Sequence, residues 1–371
     1  MTEPSHPARP EDLSGIHLLR LARRDRAAAR ARLRALSPEA QARACQELRP
    51  EVRSEFLMLL DHPEKVVPLL PDAEVCFTVR AGGMSEAAWL LEMASPEQLR
   101  ACFDLDCWNR YELDRGRLQE WIGALIEAGR PALVRAIAET DLELWLLALR
   151  SMTEITIVGK EDIPPVGAFT LDGVVYLRPH EGAESAWVRE IFGATFERAQ
   201  ALYWRLTYGM IYESPSECEE YALRWRGVRL NDLGFPDREQ AMALYRPLRA
   251  KQVEPWEPPV PPHAMVASFT LPERMQGTLL GRALLELPPA RAADVLGYVL
   301  GVANALAIAD DLPLSDVDTI PRALDKALRG IDAGLQELSR VQGRPAHEVL
   351  DHTRPTDLFR IGATLHGGDV D

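Results

Sequence analysis

The chain has 371 residues, 47% of them hydrophobic and 26% charged, the balance of a globular protein and not of a disordered one. That length exceeds a single ordinary core, so more than one domain is expected. A formal net charge of −14 argues against a general nucleic-acid binder, because phosphate contacts need a cationic face.

Residues 1–12 are rich in Pro, charge and small side chains and read as a disordered tail. They lack the apolar core and cleavage site of a signal peptide. No run along the chain approaches the roughly 18 to 20 apolar residues of a membrane span. Five cysteines, Cys45, Cys76, Cys102, Cys107 and Cys218, read as reduced thiols of a cytoplasmic protein rather than a secreted disulfide framework.

Residues 13–150 read as a helical, repeat-like domain. Seven arginines between positions 20 and 34 face a single acid, Asp25, so the remainder of the chain carries −14 − 6 = −20. On one helix, Arg23, Arg26, Arg30 and Arg34 form one stripe and Leu18, Leu21, Ala29, Leu33 and Leu36 another. A docked helix with a solvated or acid-paired face is the simplest reading. Contact with nucleic acid, an anionic membrane or an acidic partner is the alternative. Ser37-Pro38-Glu39 and Ser95-Pro96-Glu97 are helix starts, with serine capping, proline at the first position and glutamate at the positive end. Pro71-Asp72 begins a similar segment, and the three line up as a degenerate helical repeat. Leu118, Trp121, Ile122, Leu125 and Ile126 share one face at helical spacing. Gly129 and Pro131 then separate that helix from the next. Short helices that each expose one apolar face must stack on neighbours, as in a superhelix or compact bundle.

Residues 151–182 change character. Ile155–Val158 looks extended, and Asp172-Gly173 between two β-prone runs predicts a hairpin, expected as a two-stranded ribbon leaning on helices. Residues 183–249 return to helix. Residues 250–263 hold five prolines and predict a polyproline II linker, with Pro259 and Pro262 at PxxP spacing. A last helical unit is expected over 264–367. The fold class is therefore mainly α: a helical-repeat region, a small β-hairpin insertion and further helical units.

Three motifs bear on chemistry. Asp310, Asp311 and Asp316 match the spacing of the aspartate-rich motif of isoprenyl diphosphate synthases, where carboxylates hold magnesium. The second aspartate motif is missing, and Phe235 occupies a ligand position in the only partner segment, Asn231-Asp232 with Glu239. Pro313 instead suggests a helix end with aspartates as turn formers. His347 and His352 lie five residues apart, about 140° around a helix, and cannot grip one zinc ion. Cys102 and Cys107 have no second cysteine pair and read as core thiols. No catalytic residue is nominated and no cofactor is expected.

The densest segment is 203–237. Trp204, Tyr208 and Tyr212 repeat at four-residue intervals, as do Tyr221 and Trp225, and two such stripes on consecutive helices predict mutual packing. Glu219, Glu220, Arg224, Arg226, Arg229 and Asp232 surround them. These charges form either a salt-bridged helix surface or a recognition rim, in which Trp, Tyr and Arg are favoured anchors.

FTLDGVVYLRP and SPSECEEYALRWRGVRLNDLGFPDREQAMALYRPL resemble a bacterial family known only as domain of unknown function 6178. SPEQLRACFDLDCW, VANALAIAD and TDLFRIGATL extend that resemblance over most of the chain after about residue 20. It implies no activity and no site residues. Residues 36–150 are loosely similar to the N-terminal superhelix of MgtE-type magnesium channels. The function expected from these readings is a non-enzymatic cytoplasmic scaffold or regulatory module that binds a protein partner. A metal-dependent enzyme or small-ligand binder at Asp310, Asp311 and Asp316, or an anion contact at the Arg-rich helix, is the alternative.

Overall fold

The computed structural model describes residues 14–159, 161–182, 185–257 and 271–367, and the chain divides into two compact units after Arg226. The expected tail 1–12 and positions 258–263 of the expected linker lie outside the described residues. The division falls inside the segment 183–249, which therefore does not form a unit of its own.

The first unit is helical throughout, with two small antiparallel sheets. Its opening helices are α1 (Gly15–Arg24), α2 (Arg26–Arg34), α3 (Pro38–Gln46) and α4 (Pro50–Leu57). The single Arg-rich helix expected here is two helices. The Asp25 carboxylate accepts the Ala28 N–H at 2.9 Å and so starts α2 afresh, as an N-cap does. The predicted helix starts hold: Ser37 accepts from Ala40 N–H, and Ser95 closes a reciprocal capping box with Gln98.

Next come α5 (Asp72–Gly82), α6 (Trp89–Met93), α7 (Pro96–Asp106), the ribbon β1 (Trp108–Asn109) and β2 (Glu112–Leu113), α8 (Arg115–Ala128), α9 (Arg130–Glu139) and α10 (Leu142–Met152). Trp121 and Trp145 are fully buried in the core, and Phe103 meets Trp145 edge-on at 6.2 Å. Gln98 is fully buried yet satisfied, donating to the carbonyls of Val67 and Leu70 at 2.8 Å each. An unpaired amide there would cost about 1–3 kcal/mol.

The expected two-stranded ribbon has three strands. β5 (Val175–Pro179) lies between β3 (Thr153–Ile157) and β4 (Phe169–Thr170), with Ile155 opposite Leu177 and Phe169 opposite Leu177 on the other edge. A hairpin is marginal alone, and β3 provides the third strand. Gly173, at φ +79°, forms the turn. The Asp172 carboxylate accepts the N–H groups of Val174 and Val175 at 2.8 Å each and the Tyr203 hydroxyl at 2.8 Å. Tyr203 belongs to α12 (Gln200–Tyr212), which follows α11 (Ser185–Arg198). The turn is thus tied to the helix that carries the aromatic repeat.

Helix α13 (Pro215–Asp232) begins in the first unit and ends in the second, which continues with α14 (Arg238–Met242), α15 (Leu279–Glu286), α16 (Pro289–Ala309), α17 (Thr319–Gln342), α18 (Ala346–Asp351) and α19 (Pro355–Leu365). α17 and α19 meet through glycines. A Cβ at Gly334 would fall 1.8 Å from the Leu358 carbonyl oxygen, and one at Gly362 would fall 2.0 Å from that of Gly330. The expectation of no span-length apolar segment needs correction. α16 runs 21 residues and is long and apolar enough to cross a membrane by length and composition, with half of its apolar window buried inside the protein. Its Val295, Val299, Val302 and Leu306 are fully buried. Gly and Ala between those side chains hide the apolar run from a reading that counts only large residues. The described start of the proline-rich stretch is docked, not extended as a free connector. Trp256 N–H donates to the His352 carbonyl at 2.9 Å, and its ring meets Tyr298 edge-on at 5.1 Å.

Candidate binding surface on α12 and α13

The orientation of α12 is set from inside. Leu202, Tyr203, Leu206 and Met210 are buried, and a Cβ on Gly209 would sit 2.8 Å from Leu146, so α12 lies directly against α10. Arg150 of α10 donates to the carbonyls of Gly209, Met210 and Glu213. It caps orphan acceptors at the end of α12 with a fixed positive charge, the favoured sign there.

With that face committed inward, the aromatic repeat points out. Trp204 stacks on Tyr208 at 5.5 Å and Tyr208 on Tyr212 at 6.1 Å, with interplanar angles of 23° and 25°. Tyr208 and Tyr212 are 47% and 72% exposed. On α13, Cys218 and Ala222 are buried, while Tyr221 and Trp225 are each 51% exposed. The expected mutual packing of the two stripes does not occur: among the described residues each aromatic contact of Tyr208 and Tyr212 lies within α12. The i, i+4 spacing identifies residues that share a face, but not which face turns inward.

The charged residues separate by role. Arg226 is not a free rim residue. Its Nε donates to the Asp104 carbonyl at 2.8 Å, its Nη1 to the Arg110 carbonyl at 3.3 Å, and its guanidinium lies 5.5 Å from the Trp108 ring centroid. It fastens α13 to α7 and to the β1–β2 turn, where Arg110 sits at φ +58°. Arg229 is half-buried and engaged. Arg224, Glu220 and Asp232 are exposed and Glu219 is half-buried. The ion pairs found among the described residues include none for Glu217, Glu219, Glu220 or Arg224. The salt-bridged surface expected here is therefore absent at these four positions. Glu217, in the first turn of α13, belongs with them.

The acidic break after α16 has a different construction. Asp310 caps the helix, and Asp311 takes a left-handed conformation at φ +54°. Leu312 N–H returns to Ala307 at 2.9 Å and Asp311 N–H to Ile308 at 3.3 Å, the two bonds of a Schellman stop. Three of its carboxylates have their own cation: Lys326 on Asp310 at 3.0 Å, both terminal nitrogens of Arg238 on Asp311, and Arg322 on Asp316. Tyr245 also donates to Asp310 at 2.5 Å. Burial and that bond push its phenol up to about 12. No cluster of three or more His, Cys, Asp or Glu side chains suited to a metal occurs among the described residues. His347 instead pairs with Glu286 at 2.5 Å, and Asp351 with Arg291 at 2.8 Å.

All five thiols are buried and unpaired in disulfides. Burial pushes Cys45 up to about 12 and raises Cys102 and Cys107 well above the ordinary thiol range. Such thiols stay protonated and are poor nucleophiles.

These features define a mainly α protein in which, among the described residues, a run of exposed aromatic rings follows two consecutive helices. Residues 30–367 match the model of a family of unknown function, DUF6178. The match spans most of the chain, which belongs to that family. No curated protein and no solved structure matches, so the likeness of residues 36–150 to a channel superhelix gains no support.

Proposed function

We propose that this protein is a non-enzymatic interaction module that uses α12 and the first part of α13 to hold a basic segment of a protein partner. The observation that carries this reading is the outward stack of Trp204, Tyr208 and Tyr212, with Tyr221 and Trp225 on the next helix. Apolar rings left in water are favourable to cover, at roughly 25 cal/mol per Å². Glu217, Glu219 and Glu220 against Arg224 leave a local excess of negative charge with no internal partner. Arginine and lysine side chains suit both elements, since they pair with carboxylates and lie over aromatic faces. A net charge of −14 favours encounter with a basic partner. Cytoplasmic placement belongs to the same proposal.

The test uses a photo-crosslinking residue in place of Tyr212 or Trp225 in the full chain, expressed in its native cell. Crosslinks from both positions should converge on one protein, at a segment rich in Arg or Lys. Arg224→Ala should leave that partner bound, whereas Tyr208→Ala/Tyr212→Ala should release it. Crosslinks to neutral or acidic segments, or capture unchanged by the tyrosine substitutions, would refute the proposal.

A further inference from the structure

The arginines of α1 and α2 are not equivalent. Arg23 pairs with Glu55, and Arg34 grips Asp61 through two nitrogens. Arg30 is half-buried, and its Nε donates to the Leu59 carbonyl at 3.1 Å. That bond fixes the guanidinium plane, and no acid engages its terminal nitrogens. Lys65, exposed on the 3₁₀ turn Pro63–Lys65, forms no ion pair among the described residues, and its neighbour Glu64 is bonded to the His62 ring at 3.0 Å.

Arg30, Arg34, His62 and Lys65 line one cleft of about 320 Å³, floored by Leu33 and Leu60. That volume lies at the small end of ligand sites, roughly 300–1,000 Å³. Asp61 is the single carboxylate in the lining. Its bond to Arg34 holds it below the usual carboxylate range, so it is ionised at neutral pH. Arg30, Arg34 and Lys65 against Asp61 give the lining of the cleft a positive excess within a chain of −14. Most of that positive charge is held in place: Arg30 by a backbone carbonyl and Arg34 by a carboxylate.

We propose that this cleft binds a small multivalent oxyanion of the phosphate or diphosphate type. Arg30 and Lys65 are its principal donors. Asp61 is a built-in competitor that holds Arg34 when the cleft is free. A guanidinium fork matches two oxygens of one phosphoryl group, and a lysine supplies a mobile point charge. The cleft is too small to track a nucleic-acid backbone and has no Phe, Tyr or Trp ring on which a base would stack, as single-strand readers do.

Calorimetric titration of the full chain with inorganic diphosphate at physiological ionic strength tests this. Saturable binding at one site per chain is expected. Lys65→Gln and Arg30→Gln should each weaken it by about tenfold, the effect of one charge-assisted hydrogen bond. Asp61→Asn should strengthen it severalfold by removing the competing charge. Glu55→Gln, at the Arg23 ion pair, should bind as the wild type does. Lys65 is exposed and contacts nothing that holds the fold, so its substitution reads binding and not folding. Vesicles containing phosphatidate that co-sediment the chain and release it to diphosphate would identify a lipid headgroup as the source. Diphosphate binding without co-sedimentation would identify a free anion. No saturable binding, or an unchanged affinity in Lys65→Gln, overturns the proposal.

Discussion

Asp311 separates a metal-site reading of the acidic break from a structural one. Its side chain and Arg238 are 22% and 27% exposed, between the surface and buried extremes, and the bidentate contact is worth about 1–2 kcal/mol. Its φ of +54° adds a backbone term, because Ala in the left-handed region costs about 1 kcal/mol more than Gly. Asp311→Ala loses the pair and adds that strain, for a total near 2 kcal/mol. Asp311→Gly loses the pair but relaxes the backbone, partly offset by the freedom of glycine in the unfolded chain, for a net loss of about 1 kcal/mol. In an Arg238→Gln background the pair is already gone, so Asp311→Gly should become neutral or stabilising. Thermal unfolding followed by far-UV circular dichroism resolves this, at about 4 °C per kcal/mol for a unit of this size. Hydrogen exchange at the Asp311 and Leu312 amides should rise together in Asp311→Ala. Equal losses for Ala and Gly in both backgrounds would refute the backbone argument. Stabilisation of the wild type by millimolar magnesium, abolished in Asp311→Ala, would overturn the structural reading altogether.

Other expectations follow from the same contacts. Arg226→Ala strands the Asp104 and Arg110 carbonyls and removes the contact with Trp108, so it should destabilise by about 2 kcal/mol. Arg224→Ala should stay within about 0.5 kcal/mol, and equal effects in denaturant titrations would place both arginines in one role. Gly334→Ala forces a Cβ to within 1.8 Å of the Leu358 carbonyl oxygen and should cost about 3 kcal/mol. A melting temperature within 2 °C or so of the wild type would show that α17 and α19 separate freely. For Asp172, burial pushes the carboxyl pKa up. Bonds from Val174 and Val175 N–H, Tyr203 and Thr170 outweigh it and hold the folded value below the ordinary one. A depressed folded pKa gives stability that is present above the unfolded value, about 3.9, and is lost as pH falls below it. Asp172→Asn should therefore be less stable at pH 7, with the difference shrinking below about pH 4. A difference that widens on acidification would contradict the assigned bonds.

Much of the fold was legible where one local rule decided the outcome. The face of Leu118, Trp121, Ile122 and Leu125, the starts at Ser37 and Ser95, and the turn at Asp172-Gly173 each follow from neighbours in sequence. What failed needed a distant partner. β3 pairs with β5 across more than twenty residues, with Glu154 opposite Arg178, and no local pattern announces it. Asp25 stands out in the sequence as the single acid in an arginine run, and counting charges does not reveal that it caps α2, although Asp is a strong N-cap type. Arg224 and Arg226 look alike in composition. The separating signal was present: Cys218, Ala222 and Arg226 repeat at four residues, placing Arg226 on the inward face and Arg224 off it. Gly362 in TDLFRIGATL also gains a physical reason, since α19 crosses Gly330 of α17 at a distance that only glycine permits.

The charges of this acidic chain sort by what answers them. At the break after α16 the carboxylates of Asp310, Asp311 and Asp316 each meet a cation within their own unit, as expected where partial burial would make a lone charge expensive. On α13 the carboxylates stand in water, where solvation alone satisfies them, so their lack of partners proves nothing by itself. The aromatic rings beside them carry the argument, because water does not compensate an exposed tyrosine face as it does a carboxylate. Trp204, Tyr208 and Tyr212 stack along their own helix and so cover only part of one another, leaving Tyr212 at 72% exposure. A solvated helix would serve as well with Lys or Gln at those positions. Replacing Tyr208 and Tyr212 together by Gln should therefore leave stability unchanged within about 0.5 kcal/mol while removing partner capture. A loss of several kcal/mol would mean that the rings hold the fold, and the case for a binding surface on α12 would fail with it.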